Sequence, residues 1–255
     1  MNMNTLKIRN LKLGTGIPAI CIPNVGKTRE EIISLTKKYK ELPMDLMEWR
    51  SDWFEDVTDT RKVTDILAQI REILGDTPLL FTFRTRKEGG VREMDTEAYV
   101  SLNKAVAATG MADLIDVEIF TGDEIASDLI AFIHENHSRV VASNHDFDRT
   151  PAKSDIVYRL RKMQDMGADI PKIAVMPQSR RDVLTLLAAT EEMASDYADR
   201  PIITMSMNGT GSISRLAGEV FGSCMTFGSG ETASAPGQIE AGQLRKILKG
   251  IHQAL

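Results

Sequence analysis

Short apolar runs alternate with longer amphipathic segments along almost the whole chain. In the longer segments apolar residues recur at helical spacing, as Ile32, Ile33 and Leu35 do after the first run. Apolar runs separated by such helices are typical of parallel strands that are buried on both faces. The pattern predicts eight strand–helix units, with strands over 17–22, 44–49, 79–85, 114–120, 139–143, 170–176, 202–207 and 224–227 and helices over 27–41, 59–74, 95–109, 123–137, 153–166, 180–197, 212–221 and 242–251.

Eight such units in 255 residues match a (β/α)8 barrel, the TIM-barrel fold of the α/β class. A doubly wound open sheet is the alternative, although it usually has fewer units and often a glycine fingerprint after its first strand. Residues 23–26 lack that fingerprint. The alternating segment 5–13, which turns near Arg9 and Asn10, predicts a short β-hairpin that closes the barrel floor. No linker-like segment divides residues 1–255, so we expect a single domain.

Composition and charge narrow the class of protein. With 42% hydrophobic and 26% charged residues, the chain can form a sizeable core. A net charge of -5 argues against nonspecific nucleic-acid binding but leaves a small anionic substrate open. Only two cysteines, Cys21 and Cys224, are present, which favours a reducing compartment over a disulfide framework. No signal core or run of ~20 apolar residues is visible, so we expect a cytoplasmic protein without a membrane partner.

Lys172 interrupts the apolar run 170–176. A lysine that points into a core is costly unless it is paired or loses its proton. The neutral amine is a nucleophile, and Schiff-base formation is its usual use. Alternatively, Lys172 lies at the first turn of the strand and extends its amine to water. Its early position in the run also leaves open whether the amine reaches the barrel mouth.

Polar residues at other strand ends mark the same mouth, because chemistry in such barrels lies at the carboxyl ends of the strands. Glu48 and Arg50 fall on one face of the second strand and must pair with each other or bind a polar ligand. Arg84 ends the third strand, and Glu88 follows in its loop. Of four histidines only His145 ends a strand, where it could both accept and return a proton.

The last two strand ends suggest an anion site and a lid. Gly209 and Gly211 precede a helix start, where backbone N–H groups can face an anion. Arg215 falls in the first turn of that helix and could grip a carboxylate or phosphate. The small, polar segment 228–238 predicts a mobile loop that closes over a ligand, with hydrogen-bond donors from Ser234 and Gln238, or else an ordinary connection.

Two other kinds of chemistry lack their motifs. The sequence contains no HExxH or CxxC metal motif and no GxSxG nucleophile elbow. We therefore expect no metal, no cofactor and no serine-hydrolase mechanism.

Six motifs, in this order, resemble those of type I 3-dehydroquinate dehydratase, the Schiff-base enzyme of the shikimate pathway. They are EWR at 48–50, FRT with EGG at 83–90, SNHDF at 143–147, KIA at 172–174, MSMNG at 205–209 and SAPGQ at 234–238. The resemblance runs from residue 17 to the C-terminus and implies a (β/α)8 barrel, usually a homodimer, that needs no metal. Some members have serine where this chain has Pro23, so the resemblance assigns no role to that position.

The resemblance also implies roles for individual residues. Lys172 would form an imine with the C3 ketone of 3-dehydroquinate. His145, oriented by Glu88, would remove the C2 hydrogen and protonate the departing C1 hydroxyl, which gives 3-dehydroshikimate. The implied substrate-binding set comprises Arg215 as carboxylate anchor, Glu48, Arg84 and Gln238 as hydroxyl contacts, Arg50 and Ser234 as supports, and Met205, Met207 and Phe227 in the pocket wall.

The residue types fit this chemistry independently, because elimination next to a ketone needs a carbonyl activator, a proton shuttle and an anion grip. Burial and neighbouring cations would both favour the neutral form of the lysine amine. Two alternatives remain open. A class I Schiff-base aldolase shares the lysine and would use the glycine-rich segment 208–212 for phosphate, and a non-catalytic barrel would only bind a small carboxylate.

Overall fold

Eight parallel strands pair side by side around a nearly closed barrel in the computed structural model, which describes residues 5–231 and 234–255. The strands that pair in this order are β3 (Ala19–Asn24), β4 (Leu46–Arg50), β5 (Leu79–Thr82), β6 (Leu114–Glu118), β7 (Arg139–Asp146), β8 (Ile170–Val175) and β9 (Ile203–Ser206), with β10 (Met225–Phe227) against β3. A single parallel bridge between Ile202 and Ser223 links the two ends of the sheet. The predicted TIM barrel is confirmed.

Helices cover the outside of the barrel between successive strands. They are α1 (Arg29–Lys40), α2 (Thr60–Leu74), α3 (Thr96–Ala108), α4 (Asp123–Glu135), α5 (Lys153–Asp165), α6 (Arg180–Glu192), α7 (Ser212–Leu216), α8 (Gly218–Phe221) and α9 (Ala241–Ala254). Thr28, Asp59, Asp95 and Ser179 cap four of these helices by accepting backbone N–H groups of the first turn. Within the described ranges, no helix has the length and apolar character that crossing a membrane requires.

Two predicted helices differ from the structure. The predicted helix 180–197 is α6 followed by a π-helical turn, Met193–Tyr197. The predicted helix 212–221 is two short helices that meet at Ala217, where the backbone leaves helical geometry. A Cβ at Gly218 would lie 2.6 Å from the carbonyl oxygen of Ser223, so the chain turns there at a position that only glycine fits.

The predicted hairpin closes the barrel floor. Strands β1 (Leu6–Ile8) and β2 (Leu11–Leu13) pair antiparallel and turn at Arg9, whose φ is 52°. Ile8 and Leu13 are buried against the first inward layer of the barrel strands. That layer consists of Ala19, Cys21, Leu46, Leu80, Leu114, Val141, Ile170, Ile203 and Met225.

The barrel interior changes from apolar to polar toward the carboxyl ends of its strands. Along β8, Ile170 belongs to the apolar floor and Lys172 is the next inward residue. The neighbouring strands show the same change, because every second residue of a strand points into the barrel. The buried polar residues above the floor are Glu48, Arg50, Thr82, Arg84, Asp116, Glu118, Ser143 and Lys172. A floor without charge and a charged mouth therefore share one barrel.

Candidate active site

Lys172 points into the barrel, and its side chain is only 4% exposed. Its Nζ lies 3.5 Å from Asp116 Oδ2 and 4.0 Å from Glu48 Oε1, and 4.5 Å from the ring centre of Phe227. The alternative in which the lysine extends to water is therefore wrong. The early position in β8 is no obstacle, because the amine reaches the pocket at the mouth from the second layer.

One pocket at the mouth brings together all the predicted site residues. It has a free volume of about 50 Å³. Its lining includes Glu48, Arg50, Arg84, Glu88, His145, Lys172, Met205, Met207, Arg215, Phe227, Ser234 and Gln238. A larger cavity of about 890 Å³ lies next to it and shares Glu88 and His145, but its lining does not include the lysine or Arg215. The residues selected from the sequence therefore meet in the smaller pocket.

His145 is held by Glu88 through both its backbone and its ring. Glu88 Oε2 accepts a hydrogen bond from the His145 backbone N–H and shares a second one with Nδ1, each at 3.0 Å. Among the described residues, no hydrogen bond occupies Nε2, so this nitrogen is available to a substrate in the pocket. The ring of Phe147 stacks beside the imidazole at 6.5 Å.

Two glycines allow Glu88 to approach the histidine. A Cβ at Gly90 would lie 1.8 Å from the carbonyl oxygen of Arg84, and one at Gly89 would overlap the ring of Phe147. Gly89 also has a φ of 84°, in the left-handed region. The Gly-Gly pair therefore folds the loop after β5 back on itself, which places Glu88 over the end of β7.

Burial controls the protonation of this pair. Burial lowers the pKa of His145 well below its ordinary value, and the cations Arg84 and Lys172 add to the effect. Burial also raises the pKa of Glu88 to about 8, although Arg84 opposes the shift. The 3.0 Å contact is thus not a simple ion pair, because burial disfavours the charged form of each group. When Glu88 is ionised and the imidazole is neutral, the carboxylate accepts a hydrogen bond from Nδ1–H and Nε2 can act as a base.

Sequence reasoning missed two acids on β6. Asp116 is fully buried and lies 2.8 Å from Arg84 Nη2, and it accepts a hydrogen bond from Ser143 Oγ at 2.6 Å. Glu118 accepts from Arg84 Nη1 at 2.9 Å and from both the N–H and the hydroxyl of Thr85. The two acids occupy alternating positions of an apolar strand. The two-residue periodicity that selected Glu48 and Arg50 on β4 would therefore also have selected them.

The ionic environment of Lys172 differs from the one expected. Cations were expected beside the amine, yet its close ionic partners are the carboxylates of Asp116 and Glu48. The alternative in which Glu48 pairs with Arg50 is also wrong. Arg50 instead forms two hydrogen bonds with Asp52, at 2.7 and 2.8 Å, and Glu48 accepts one from the hydroxyl of Thr82 at 2.8 Å.

Arg215 is 2% exposed and faces the pocket from α7. Its Nη2 donates to the carbonyl oxygen of Pro236 at 3.1 Å, whereas its buried Nε has no partner in the described part of the chain. Burial lowers the pKa of this guanidinium to about 10. An unsatisfied, buried cation of this kind is suited to an anionic group.

The glycine-rich turn before α7 does not form the expected anion cradle. The N–H of Gly209 donates to the side chain of Asn208, and that of Gly211 donates to the Asn208 carbonyl oxygen. Both groups are thus occupied within the turn. The observation that favoured a phosphate-binding aldolase is therefore lost.

The predicted lid lies across the mouth, although its residues 232 and 233 fall outside the described ranges. Gln238 accepts from the Ser234 N–H and donates to the Ser234 hydroxyl, both at 2.9 Å. A Cβ at Gly237 would lie 2.4 Å from the Asn208 carbonyl oxygen, which shows how closely the two loops pack. Ser234 and Gln238 therefore bind each other while they line the pocket. Within the described part of the chain, no cluster of three potential ligands could hold a metal.

Asp116→Asn tests whether the charge network stabilises the fold. Burial alone would raise the pKa of Asp116, but Arg84 and Lys172 outweigh it and lower that pKa. Removing the carboxylate leaves buried cations uncompensated, so we expect unfolding to become easier by about 3–5 kcal/mol at pH 7 in urea titrations. Because the pKa is lowered on folding, this advantage of the native chain should disappear as the pH falls below ~3.9.

The exposed Asp128 offers a matched control, since Asp128→Asn makes the same chemical change outside the network. Asp128→Asn should have the same urea midpoint as the native chain. Equal urea midpoints for Asp116→Asn and the native chain at pH 7 would contradict the stabilising role.

Comparison with known proteins places this geometry in a family. The model of the type I 3-dehydroquinase family matches residues 20–254. The chain is 53% identical to the 3-dehydroquinate dehydratase of Salmonella agona over 252 residues, which cover 99% of this chain and 100% of that protein. It is 49% identical to the Clostridioides difficile protein of the same name over 250 residues, 98% of each chain.

Solved structures agree with the sequence matches. The type I 3-dehydroquinate dehydratase from Clostridium difficile, solved with covalently modified comenic acid, superposes with a TM-score of 0.97 at 48% identity and covers 99% of this chain and 100% of that one. The 3-dehydroquinate dehydratase from Geobacillus kaustophilus gives a TM-score of 0.95 at 38% identity, with 99% of both chains covered. The chain belongs to the type I 3-dehydroquinase family.

Proposed function

We propose that this pocket removes water from 3-dehydroquinate to give 3-dehydroshikimate through a Schiff base on Lys172. The observation that carries the proposal is the buried amine of Lys172, which lines one pocket with the His145–Glu88 pair and the guanidinium of Arg215. The family assignment supports the substrate, because the matched relatives bear the name of this reaction. The covalently modified comenic acid in the Clostridium difficile structure is consistent with a nucleophile in the equivalent pocket.

Substrate binding begins at Arg215, whose unsatisfied Nε and neighbouring N–H groups would grip the substrate carboxylate. Glu48, Arg84 and Gln238 would then contact the hydroxyl groups of the ring. Arg50 and Ser234 would support these contacts, because each holds a neighbouring polar group, Asp52 and Gln238 respectively. The remaining wall of the pocket is apolar and is formed by Met205, Met207 and Phe227.

Imine formation starts when the Lys172 amine attacks the C3 carbonyl carbon. The attack requires the unprotonated amine, and the carboxylates of Asp116 and Glu48 lie 3.5 and 4.0 Å from it. A C–N bond forms, the carbonyl oxygen departs as water, and a protonated imine remains. This cation withdraws electrons from C2, so the hydrogen on C2 becomes acidic.

His145 Nε2 then removes the C2 hydrogen as a proton, and the electron pair moves into an enamine. The enamine returns its electrons toward C2 and C1, the C1–O bond breaks, and His145 gives its proton to the leaving hydroxyl. Glu88 stabilises the imidazolium that exists between the two transfers. Hydrolysis of the product imine consumes one water and restores the amine, so the net change is the loss of one water.

We also propose that the chain works as a homodimer in the cytoplasm. The dimer is supported by the family resemblance, and the compartment by the presence of only two cysteines, Cys21 and Cys224, both buried as free thiols. Sedimentation equilibrium should give the mass of two chains, and a mass of one chain at assay concentrations would contradict the dimer. Fractionation of the source cells should recover the activity with the cytoplasmic enzymes.

Borohydride reduction in the presence of 3-dehydroquinate tests the nucleophile. Hydride converts an imine into a stable amine, so we expect a covalent adduct on the peptide that contains Lys172 and loss of activity. Lys172→Ala should form no adduct and should lower turnover by at least about three orders of magnitude. Lys249→Ala, at an exposed position, should behave like the native chain.

Turnover without a trapped adduct in the native chain would overturn the imine mechanism. Product analysis in the same experiment separates dehydration from aldol chemistry. Dehydration yields a single enone that absorbs in the ultraviolet, whereas aldol cleavage yields two fragments. A pure binding protein would give no product.

His145→Ala tests the proton shuttle separately from the nucleophile. Because positioned acid–base groups contribute about 10²–10⁴-fold, we expect kcat to fall by that factor while borohydride still traps an imine on Lys172. His137→Ala removes an exposed imidazole from the turn that precedes β7, at the opposite end of that strand from His145, and should leave kcat unchanged. Near-native turnover of His145→Ala would remove this residue from the mechanism.

A further inference from the structure

Arg159 lies on α5, outside the barrel wall, and is fixed by several partners. Its Nε and Nη2 donate to the two carboxylate oxygens of Asp155, one helical turn earlier, at 3.3 and 2.7 Å. Its Nη1 donates to Asn144 Oδ1 at 2.9 Å, and the guanidinium carbon lies 5.8 Å from the ring centre of Phe120. The side chain is 17% exposed. A guanidinium held in this way presents one N–H group to the end of β7 in a fixed direction.

That contact determines the orientation of the Asn144 amide. A guanidinium carries only donors, so the atom of Asn144 that faces Arg159 must be the carbonyl oxygen. The amide NH2 must then face the other way, where Nδ2 donates to Glu88 Oε1 at 3.2 Å. If the amide were reversed, its NH2 group would face the donors of Arg159 and its oxygen would face the Glu88 carboxylate, so both contacts would be repulsive. Asn144 therefore transmits the position of α5 to the loop after β5.

The Glu88 carboxylate is sensitive to this one donor, because it is buried among groups of both signs. The charged groups that face it are Arg84 at the end of β5, Asp116 and Glu118 on β6, and His145 on β7. The amide of Asn144 favours the ionised form of Glu88, whereas burial and the two acids oppose it. Loss of the hydrogen bond from the Asn144 side chain would therefore raise the pKa of Glu88 further.

We propose that Arg159 is a positioning residue for the reaction, which acts through Asn144 to hold the carboxyl group of Glu88 in line with His145. The inference rests on the proposed function of the His145–Glu88 pair. Arg159 itself lines neither the substrate pocket nor the larger cavity beside it, so its effect can only pass through neighbouring residues.

Arg159→Met removes the guanidinium while it keeps the aliphatic stem. Asn144 then loses the partner that fixes its amide, and Glu88 is protonated at higher pH. We expect the acidic limb of the kcat profile to move to higher pH and kcat at neutral pH to fall about tenfold, with KM for 3-dehydroquinate within about twofold of the native value. Arg161→Met is the matched control, because Arg161 lies on the same helix against Tyr197 and contacts neither Asn144 nor Glu88.

Variants of Asn144 separate a positioning role from a merely structural one. Asn144→Asp keeps the partner of Arg159 but turns a carboxylate toward Glu88, so the acidic limb should move further than in Arg159→Met. In Asn144→Leu the amide is gone, and adding Arg159→Met should move the limb no further. A limb that stays at the native pH in Arg159→Met, or shifts that simply add in the double variant, would overturn the inference.

Borohydride trapping distinguishes this failure from failure of the proposed function. The imine on Lys172 does not require Arg159, so Arg159→Met should still give the adduct in the presence of 3-dehydroquinate. An adduct together with an unchanged pH profile contradicts only the role of Arg159. No adduct in the native chain contradicts the proposed function itself.

Discussion

The buried guanidinium of Arg84 is the interaction on which the arrangement of the site depends. It contacts Asp116 at 2.8 Å, Glu118 at 2.9 Å and Glu88 at 3.5 Å, and it also donates to the Ser143 hydroxyl. These groups come from β6, β7 and the loop after β5, so one planar cation fixes three segments of the barrel mouth. Arginine suits this place because its donors spread in a rigid fork and its charge persists when it is buried. A lysine could satisfy one of these acids but not all of them.

The same network sets the chemistry of its two neighbours. Arg84 and Lys172 join burial in lowering the pKa of His145, which keeps the imidazole neutral and able to accept a proton. Asp116 connects the two cations, since it lies between Arg84 and the Lys172 amine. The charges that hold the mouth together therefore also lower the pKa of His145. Fold stability and reactivity share one set of contacts at this end of the barrel.

Strand periodicity was enough to predict most of this arrangement. The number of units, the barrel and the floor hairpin followed from alternation of apolar and polar residues, and two-residue periodicity placed Glu48, Arg50 and Lys172 inside. Asp116 was within reach of the same rule and was overlooked because its strand was counted as apolar. The hydrogen-bond partner of a side chain was harder to predict than the face of the strand on which it lies, as the pairing of Arg50 with Asp52 shows.

Contacts between layers could not be predicted from the sequence at all. Asn144 faces away from the barrel interior by strand parity, so nothing in its strand connects it with Glu88, which comes from a loop 56 residues earlier. The link becomes visible only when α5 packs against β7 and Arg159 meets the amide. Helix geometry predicts which face of α5 is buried, but the crossing angle and the turn that aligns with Asn144 depend on the packing of the whole ring.

Arg215 is a buried cation whose hydrogen-bonding capacity is only partly used in the structure. Its guanidinium is almost fully buried, yet among residues 5–231 and 234–255 one donor is unsatisfied and the partners are the neutral sulfur of Met205 and the carbonyl oxygen of Pro236. A buried cation without a counter-ion costs free energy in the fold. A carboxylate that enters the pocket would supply the missing negative charge and the missing hydrogen-bond acceptor together. Its binding would be favoured because the guanidinium is already held in place by the fold. Because Pro236 belongs to the loop after β10, the position of the Arg215 guanidinium depends on the position of that loop.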